Sequence, residues 1–371
     1  MLWKKRQDYL IDQSYAAADA IYGQTARWEI TREFPIESIY LVADFTAAAF
    51  ATTKVVTETW YNIIKRVTLT VADGSRTRNV IDASGSGLAE YARQQLGGLD
   101  RNWMFRRVTG APSAGAAAYN PRLRLMIPIF FALPQISDPL SSALLLPAHR
   151  YNANPVLTVT TEAKANVHND AGTTTAATLG VVVNRREVQD PNWEYYDTEL
   201  FENPWTPTAG LQSYDLPIPG AFTGMQIRAT SSGARVNPCS ALAENRLQYL
   251  GNVIRRWRME DIQRENELST FWNSDLANEY LITAANTDLP GAMFTDKPSS
   301  ANDSGLYYMD FLTDRVGESV QEIGSALETN FLMASGARVQ WLTTISGTPT
   351  INILFHRIMG DISKLKFART A

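Results

Sequence analysis

The chain has 371 residues, of which 45% are apolar and 19% charged, and it carries a formal charge of -4 at neutral pH. That length exceeds one ordinary hydrophobic core, so two domains of roughly 150 to 200 residues are expected, and the near-balanced charge excludes a strongly basic nucleic-acid reader. Cys239 is the single cysteine, which excludes an intramolecular disulfide and a thiolate metal cluster and fits maturation in a reducing cytosol.

Residues 2–22 read as an amphipathic helix. At 100° per residue Trp3, Leu10, Ala17 and Ile21 share one stripe, Lys5, Asp8, Asp12 and Asp19 lie opposite, and Gly23 supplies a stop. Lys4, Lys5 and Arg6 precede "QDYLIDQSYAAADA", which lacks the apolar core of a secretory leader. The longest apolar run, "LRLMIPIFFALP" (123–134), is interrupted by arginine and proline and falls short of the ~20 residues of a spanning helix.

Beyond Gly23, short segments rich in β-branched and aromatic residues alternate with Gly, Pro, Asn and Ser clusters, the pattern of an all-β sandwich or barrel. Strands are expected at 36–48, 60–73, 76–83, 122–133, 143–149, 156–168 and 177–188. In "VTLTVAD" Val67, Leu69 and Val71 point one way and Thr68 and Thr70 the other, and Asp73-Gly74 offers a hairpin turn. One helix interrupts this order, "SGLAEYARQQLGG", with Ser86 as its cap and Gly97 as its end.

Residues 189–207, "QDPNWEYYDTELFENPWTP", read as an interdomain strap, because Trp193, Tyr195, Tyr196 and Trp205 require cover. The second half then repeats the order of the first. Segment 211–229 stands where 36–48 stood, 247–263 where 60–73 stood, and "LSTFWNSDLANEYL" (268–281) where the helix stood; strands at 306–314, 326–346 and 350–359 follow. "NIIKR" (62–66) is echoed by "NVIRR" (252–256), which makes Asn62 and Asn252 candidate equivalents in two copies of one domain. The expected divisions are an N-terminal helix or arm (1–33), a first β-domain (34–188), a linker (189–207), a second β-domain (208–360) and a basic tail (361–371).

Catalytic chemistry finds no foothold. His149, His168 and His356 are the only histidines, and none sits in a nucleophile motif or at metal-ligand spacing; "SGSG" (84–87) has no lysine behind it to make a phosphate loop. No catalytic, cofactor-binding or metal-binding residue is assigned. Glu194, Asp197, Glu199 and Glu202, with their aromatic neighbours, leave open a carbohydrate-binding or glycan-cleaving β-sandwich. Lys65, Arg66, Arg255, Arg256 and Arg258 read as a solvated or interface strip. Both chain ends are basic and partly apolar, through Trp3, Lys4, Lys5 and Arg6 at one and Lys364, Lys366 and Arg369 at the other, a combination suited to an anionic lipid surface.

With "NIIKRVTLTVADGSRTRNVIDASG" and its following helix, "LLLPAHRYNANPVLTVTTEA", and the series "GLYYMDFLTD... NFLMASGARVQWLTTI", residues 34–360 resemble the double jelly-roll major capsid proteins of tailless icosahedral viruses with an internal membrane, of the tectivirus and corticovirus type. The resemblance implies two tandem eight-stranded jelly rolls, each with a short flanking helix, in addition to the N-terminal helix. It implies a homotrimer forming a pseudo-hexagonal tile, packed against neighbouring capsomers and penton or vertex proteins in a virion capsid, assembled in the host cytoplasm, with no sequence-specific nucleic-acid binding. Loops 98–121 and 283–304 would form the exterior, and Trp3, Lys4, Lys5 and Arg6 would face the internal membrane. A minor vertex or spike protein of such a virus is the alternative of the same fold. Pro217 and Pro219 depart from the pattern and imply a bent or shortened first strand in the second roll.

Overall fold

The computed structural model describes residues 4–48, 50–51, 60–74, 76–95, 105–109, 118–119, 122–132, 144–167, 172–187, 197–216, 221–231, 234–235, 241–249, 251–258, 306–310 and 339–359. The first half contains β1 (Lys4–Tyr9), β2 (Gln13–Tyr15), β3 (Thr25–Glu29), β4 (Ile36–Ala48), β5 (Phe50–Ala51), β6 (Ile64–Asp73), β7 (Arg76–Ala83), helix α1 (Gly85–Gln95), β8 (Phe105–Thr109), β9 (Ala118–Tyr119), β10 (Arg122–Phe130), β11 (Val156–Thr161), helix α2 (Lys164–Val167) and β12 (Thr173–Glu187). The second half contains β13 (Asp197–Trp205), β14 (Gly210–Asp215), β15 (Ala221–Ser231), β16 (Ala234–Arg235), β17 (Leu242–Tyr249), β18 (Asn252–Trp257), β19 (Leu306–Asp310), β20 (Val339–Ile345) and β21 (Thr350–Met359).

Alternation drives the first barrel. Ile39, Leu41, Ala43 and Phe45 of β4 and Leu123, Leu125, Ile127 and Ile129 of β10 point inward from one sheet, while Val67, Leu69 and Val71 of β6 and Leu157 and Val159 of β11 meet them from the other, all in one apolar cluster. The sheets run β1-β12-β4-β10-β8 and β3-β11-β6-β7. The hairpin between β6 and β7 turns at Gly74, whose φ of +58° is the left-handed value its Asp-Gly signal anticipates.

The second barrel repeats this wiring. Its sheets run β13-β21-β15-β19 and β14-β20-β17-β18 around a core of Met225, Ile227, Leu247, Trp341, Ile353 and Phe355. Taken in chain order, β1, β3, β4, β6, β7, β10, β11 and β12 occupy the places of β13, β14, β15, β17, β18, β19, β20 and β21. A join links the halves. β13 lies parallel to β7, with Leu200 opposite Ile81 and Phe201 opposite Asp82, so one barrel's sheet continues into the other's.

Several local expectations are corrected. Residues 4–15 are not helical: β1 and β2 add to β12, Arg185 from β12 is fully buried, and its Nε donates to Asp8 Oδ2 at 2.5 Å. Asp8, placed on the solvent side by helical periodicity, therefore faces inward, and the Trp28 indole donates to Ile11 O at 2.8 Å. The stretch 197–205, read as part of a strap, is a full strand because its backbone completes a ladder with β21. Residues 144–150 form no strand, only the bridge Ile36–Leu146 and a 3-10 turn over Ala148–Arg150. The strand expected to run to residue 168 stops at Thr161 and gives way to α2.

The "NIIKR" echo is a false equivalence. Asn62 belongs to the 3-10 turn Trp60–Ile63 before β6, whereas Asn252 opens β18, the counterpart of β7. The duplication is carried by the strand pairings and not by this phrase. The proposed helix 268–281, loop 283–304, most of loop 98–121, residues 189–196, Pro217, Pro219 and the tail 361–371 lie outside the described residues.

Candidate functional site at the joint of the two barrels

The joint is built on the first turn of α1. Ser84 caps it: the Gly87 N–H donates to Ser84 Oγ at 3.0 Å, the role expected of Ser86. Ser86 is buried instead and accepts from the guanidinium of Arg228, which arrives from β15 of the other barrel. The Arg228 Nη2 also donates to Ser84 Oγ at 3.0 Å and to Glu202 Oε1 at 2.7 Å.

Glu202 closes the arrangement from β13. Its second carboxylate oxygen accepts the Ser84 backbone N–H at 2.7 Å, so the carboxylate sits at the helix N-terminus, where unpaired N–H groups favour negative charge. The side chains of Arg228 and Glu202 are 4% and 3% exposed, so neither charge has bulk water as an alternative partner. Space is tight here. A Cβ on Gly87 would lie 2.9 Å from Glu202 Oε2, which explains a glycine inside the first helical turn.

A second ion cluster braces the same strands. Glu199 accepts from Arg78 Nη1 at 3.0 Å and from Arg357 Nε at 2.8 Å, and the Arg357 guanidinium lies 4.9 Å from the centre of the Phe201 ring. Arg66 bonds Asp82 Oδ1 at 2.5 Å and the Glu202 carbonyl at 3.1 Å. Apolar contacts join in as well: Leu200 and Leu354 belong to the first barrel's cluster, and His356, nearly fully buried, lies 5.5 Å from the Tyr91 ring.

Chemically, this site holds two barrels in fixed relation. The carboxylates considered for glycan chemistry, Glu199 and Glu202, are both committed to arginines and buried, while Glu194 and the side chain of Asp197 lie outside the described residues. Among the described residues, the hydroxyls of Ser84 and Ser86 bond to Arg228, to each other and, for Ser84, to the Gly87 N–H. Among the described residues there is no group of three or more potential metal-ligating His, Cys, Asp or Glu side chains, and no helix is long and apolar enough to cross a membrane.

Of the terminal residues assigned to a membrane, Lys5 pairs with Glu37 at 3.5 Å and Arg6 with Asp8 and Glu33, each at 2.8 Å. Lys4 opens β1 in register with Glu187; Trp3, Lys364, Lys366 and Arg369 lie outside the described residues. Lys65 reaches Glu162 at 3.6 Å, and Arg256 lies 3.8 Å from Glu244, so the basic strip is spread over two barrels. Sequence reasoning missed Ser84 and Arg228. The signal available for Arg228 was a lone charge inside the apolar strand "GMQIRAT".

Two sheets facing each other around a core, with the same strand wiring repeated in tandem, match a double jelly roll, the fold of viral major capsid proteins. No family model matches the sequence, and no curated protein matches it. Among solved structures, the crystal structure of the major capsid protein of Sulfolobus turreted icosahedral virus superposes with a TM-score of 0.61 at 14% identity, covering 97% of this chain and 98% of that one. The PBCV-1 virus capsid model gives 0.53 at 11% identity, covering 96% and 94%. The major capsid protein P2 from bacteriophage PM2 gives 0.50 at 12% identity, covering 96% and 98%. At these identities the likeness is one of fold.

Proposed function

We propose that this chain is a structural major capsid protein, three copies of which form a pseudo-hexagonal capsomer in an icosahedral shell over an internal membrane. The observation that supports it most is the end-to-end match to a viral major capsid protein, covering 97% of this chain and 98% of that one. A duplicated barrel suits this role, since three copies present six similar corners to their neighbours. In this reading the partners are other copies, neighbouring capsomers, penton or vertex proteins and the lipid surface, with assembly in the host cytoplasm. In the same reading Trp3, Lys4, Lys5, Arg6, Lys364, Lys366 and Arg369 contact the membrane, with Lys5 and Arg6 also held by the acidic partners Glu37 and Glu33.

Native mass measurement with negative-stain imaging of the purified chain tests the proposal. A trimer of hexagonal outline is expected, and a stable monomer at high concentration overturns it. Salt-sensitive binding of the full chain to anionic vesicles tests the membrane contact separately. A minor vertex protein would share the fold but show few copies by gel densitometry of the particle.

A further inference from the structure

We infer that the outer face of β17 and β18 is a binding site for an acidic polysaccharide, gripped by Arg246 and Arg256. The inference goes beyond the capsid reading and rests on it only for which end of the molecule faces outward.

The site starts from an irregularity in a strand. In β17 Leu242 and Asn245 are both buried in the second barrel, where Asn245 Oδ1 accepts the Trp341 indole N–H, and the two residues between them, Ala243 and Glu244, are both exposed. The strand therefore bulges, and its register against β20 shifts between Ala243 and Asn245. The bulge holds Glu244 at a φ of +40°, a left-handed value that is costly for a residue other than glycine. It also turns the carboxylate outward to Arg246, whose Nη2 donates to it at 2.7 Å, with Arg256 at 3.8 Å.

A second cost coincides with the first. Arg246 stands directly opposite Arg256 across the antiparallel pair, where like charges repel. One carboxylate serves both guanidinium groups: the hydrogen bond and charge of Arg246, with the charges of Arg256 and Arg258, hold Glu244 below its usual range. The shared wiring does not demand this arrangement. In the first barrel the counterpart strands β6 and β7 set Thr68 opposite Asp82, and Asp82 bonds Arg66 at 2.5 Å. The side chains of Arg246 and Arg256 are 32% and 60% exposed, so their planar forks of N–H donors are within reach of an oxyanion lying between them.

Two features favour a polysaccharide among anions. Beside the arginines, Gln248 of β17 stands opposite Gln340 of β20, and Gln340 Nε2 donates to Asp215 Oδ1 at 2.9 Å, giving oriented amides suited to sugar hydroxyls. The site also lies toward the end of the molecule away from Lys4. Arg6 bonds Glu33, Arg32 bonds Asn152 and Asn152 bonds Gly74, so the β6-β7 turn shares the Lys4 end, and β7 and β13 run side by side away from it. β21 returns antiparallel to β13, which puts Thr350, and with it Ile345 opposite Leu242, at the far end. With the Lys4 end toward lipid, as proposed above, the far end meets envelope polysaccharide and not enclosed nucleic acid.

The test is binding of a heparin oligosaccharide to the full chain by calorimetry in a salt series. It compares wild type, the double variant Arg246→Gln with Arg256→Gln, and a control, Arg27→Gln, whose side chain is 65% exposed on the first barrel. Wild type should bind less tightly as salt rises, and the double variant should lose about tenfold or more in affinity while the control is unchanged. Denaturant titration without ligand gives an independent reading, because Arg256→Gln relieves a repulsion and should leave stability unchanged or raised. A wild-type chain that binds no heparin, a double variant that binds as wild type does, a less stable Arg256→Gln chain, or tighter arginine-dependent binding of single-stranded DNA or polyglutamate overturns the inference. None of these outcomes bears on the trimer, whereas a chain that binds heparin but stays monomeric overturns the capsid reading alone.

Discussion

Arg228 of β15 and Glu202 of β13 face each other at 2.7 Å, both nearly removed from water, and both reach the cap of a helix that belongs to the other barrel. Desolvation makes such a pair a weak source of net stability, but removing one partner strands the other charge. Glu202→Gln should therefore destabilise the chain by about 3–5 kcal/mol. The double change Glu202→Gln with Arg228→Met should recover part of that loss. Denaturant titration of both variants checks the coupling, and simple additivity would contradict it.

Gly85 and Gly87 separate two kinds of crowding. A Cβ on Gly85 would meet Ile64 Cβ at 2.5 Å and the carbonyl oxygens of Ile64 and Tyr61 at 2.7 Å, whereas on Gly87 its three nearest neighbours would all be atoms of the Glu202 carboxylate. Backbone yields less readily than a side chain. Gly85→Ala should lower the melting temperature more than Gly87→Ala, with losses of about 1–3 kcal/mol or more for the former.

The N-terminal strand hangs on Arg185. With no exposed surface, it donates to Asp8 at 2.5 Å, to Thr31 Oγ1 at 3.1 Å and to Phe34 O at 3.2 Å. Asp8→Asn removes the charge opposite it while leaving the barrel strands untouched. Amide exchange over residues 4–9 should accelerate by about tenfold or more, with β4 and β10 unchanged.

Alkaline sensitivity should trace to Tyr22. Burial pushes its phenol up to about 12, the hydrogen bond with Thr174 opposes that shift, and Asp19 adds to it. An acid held protonated in the fold but titrating near 10 in the unfolded chain contributes stability fully below pH 10 and loses it as pH rises toward 12. The loss should reach roughly 2–3 kcal/mol. Tyr22→Phe should flatten this part of the stability–pH curve, as measured by denaturation at pH 9 to 12.

Asp44 contributes at the acid end. Burial raises its carboxyl, but hydrogen bonds and charge from Arg122 and Arg124 outweigh that and hold it below the usual range. A depressed carboxylate contributes stability above its unfolded pKa, near 4, and loses it as pH falls through the folded value. Replacing both arginines by glutamine should move the Asp44 titration upward by NMR.

What the amino-acid order determines by itself is local. The alternation of Val67, Leu69 and Val71, the Asp73-Gly74 turn and the run of α1 are written in neighbouring residues, because side-chain period and turn chemistry act over a few positions. The double-barrel plan was legible from the order of such segments, although its most quotable phrase, "NIIKR" and "NVIRR", pointed to strands that do not correspond. Only the tertiary structure decided that residues 4–9 extend a sheet, that Glu199 and Glu202 are buried and paired, and that Arg228 caps the joint. Arg228 and Ser86 are 142 positions apart, and what surrounds a charge at that separation depends on which strands meet, a long-range choice that no local period encodes.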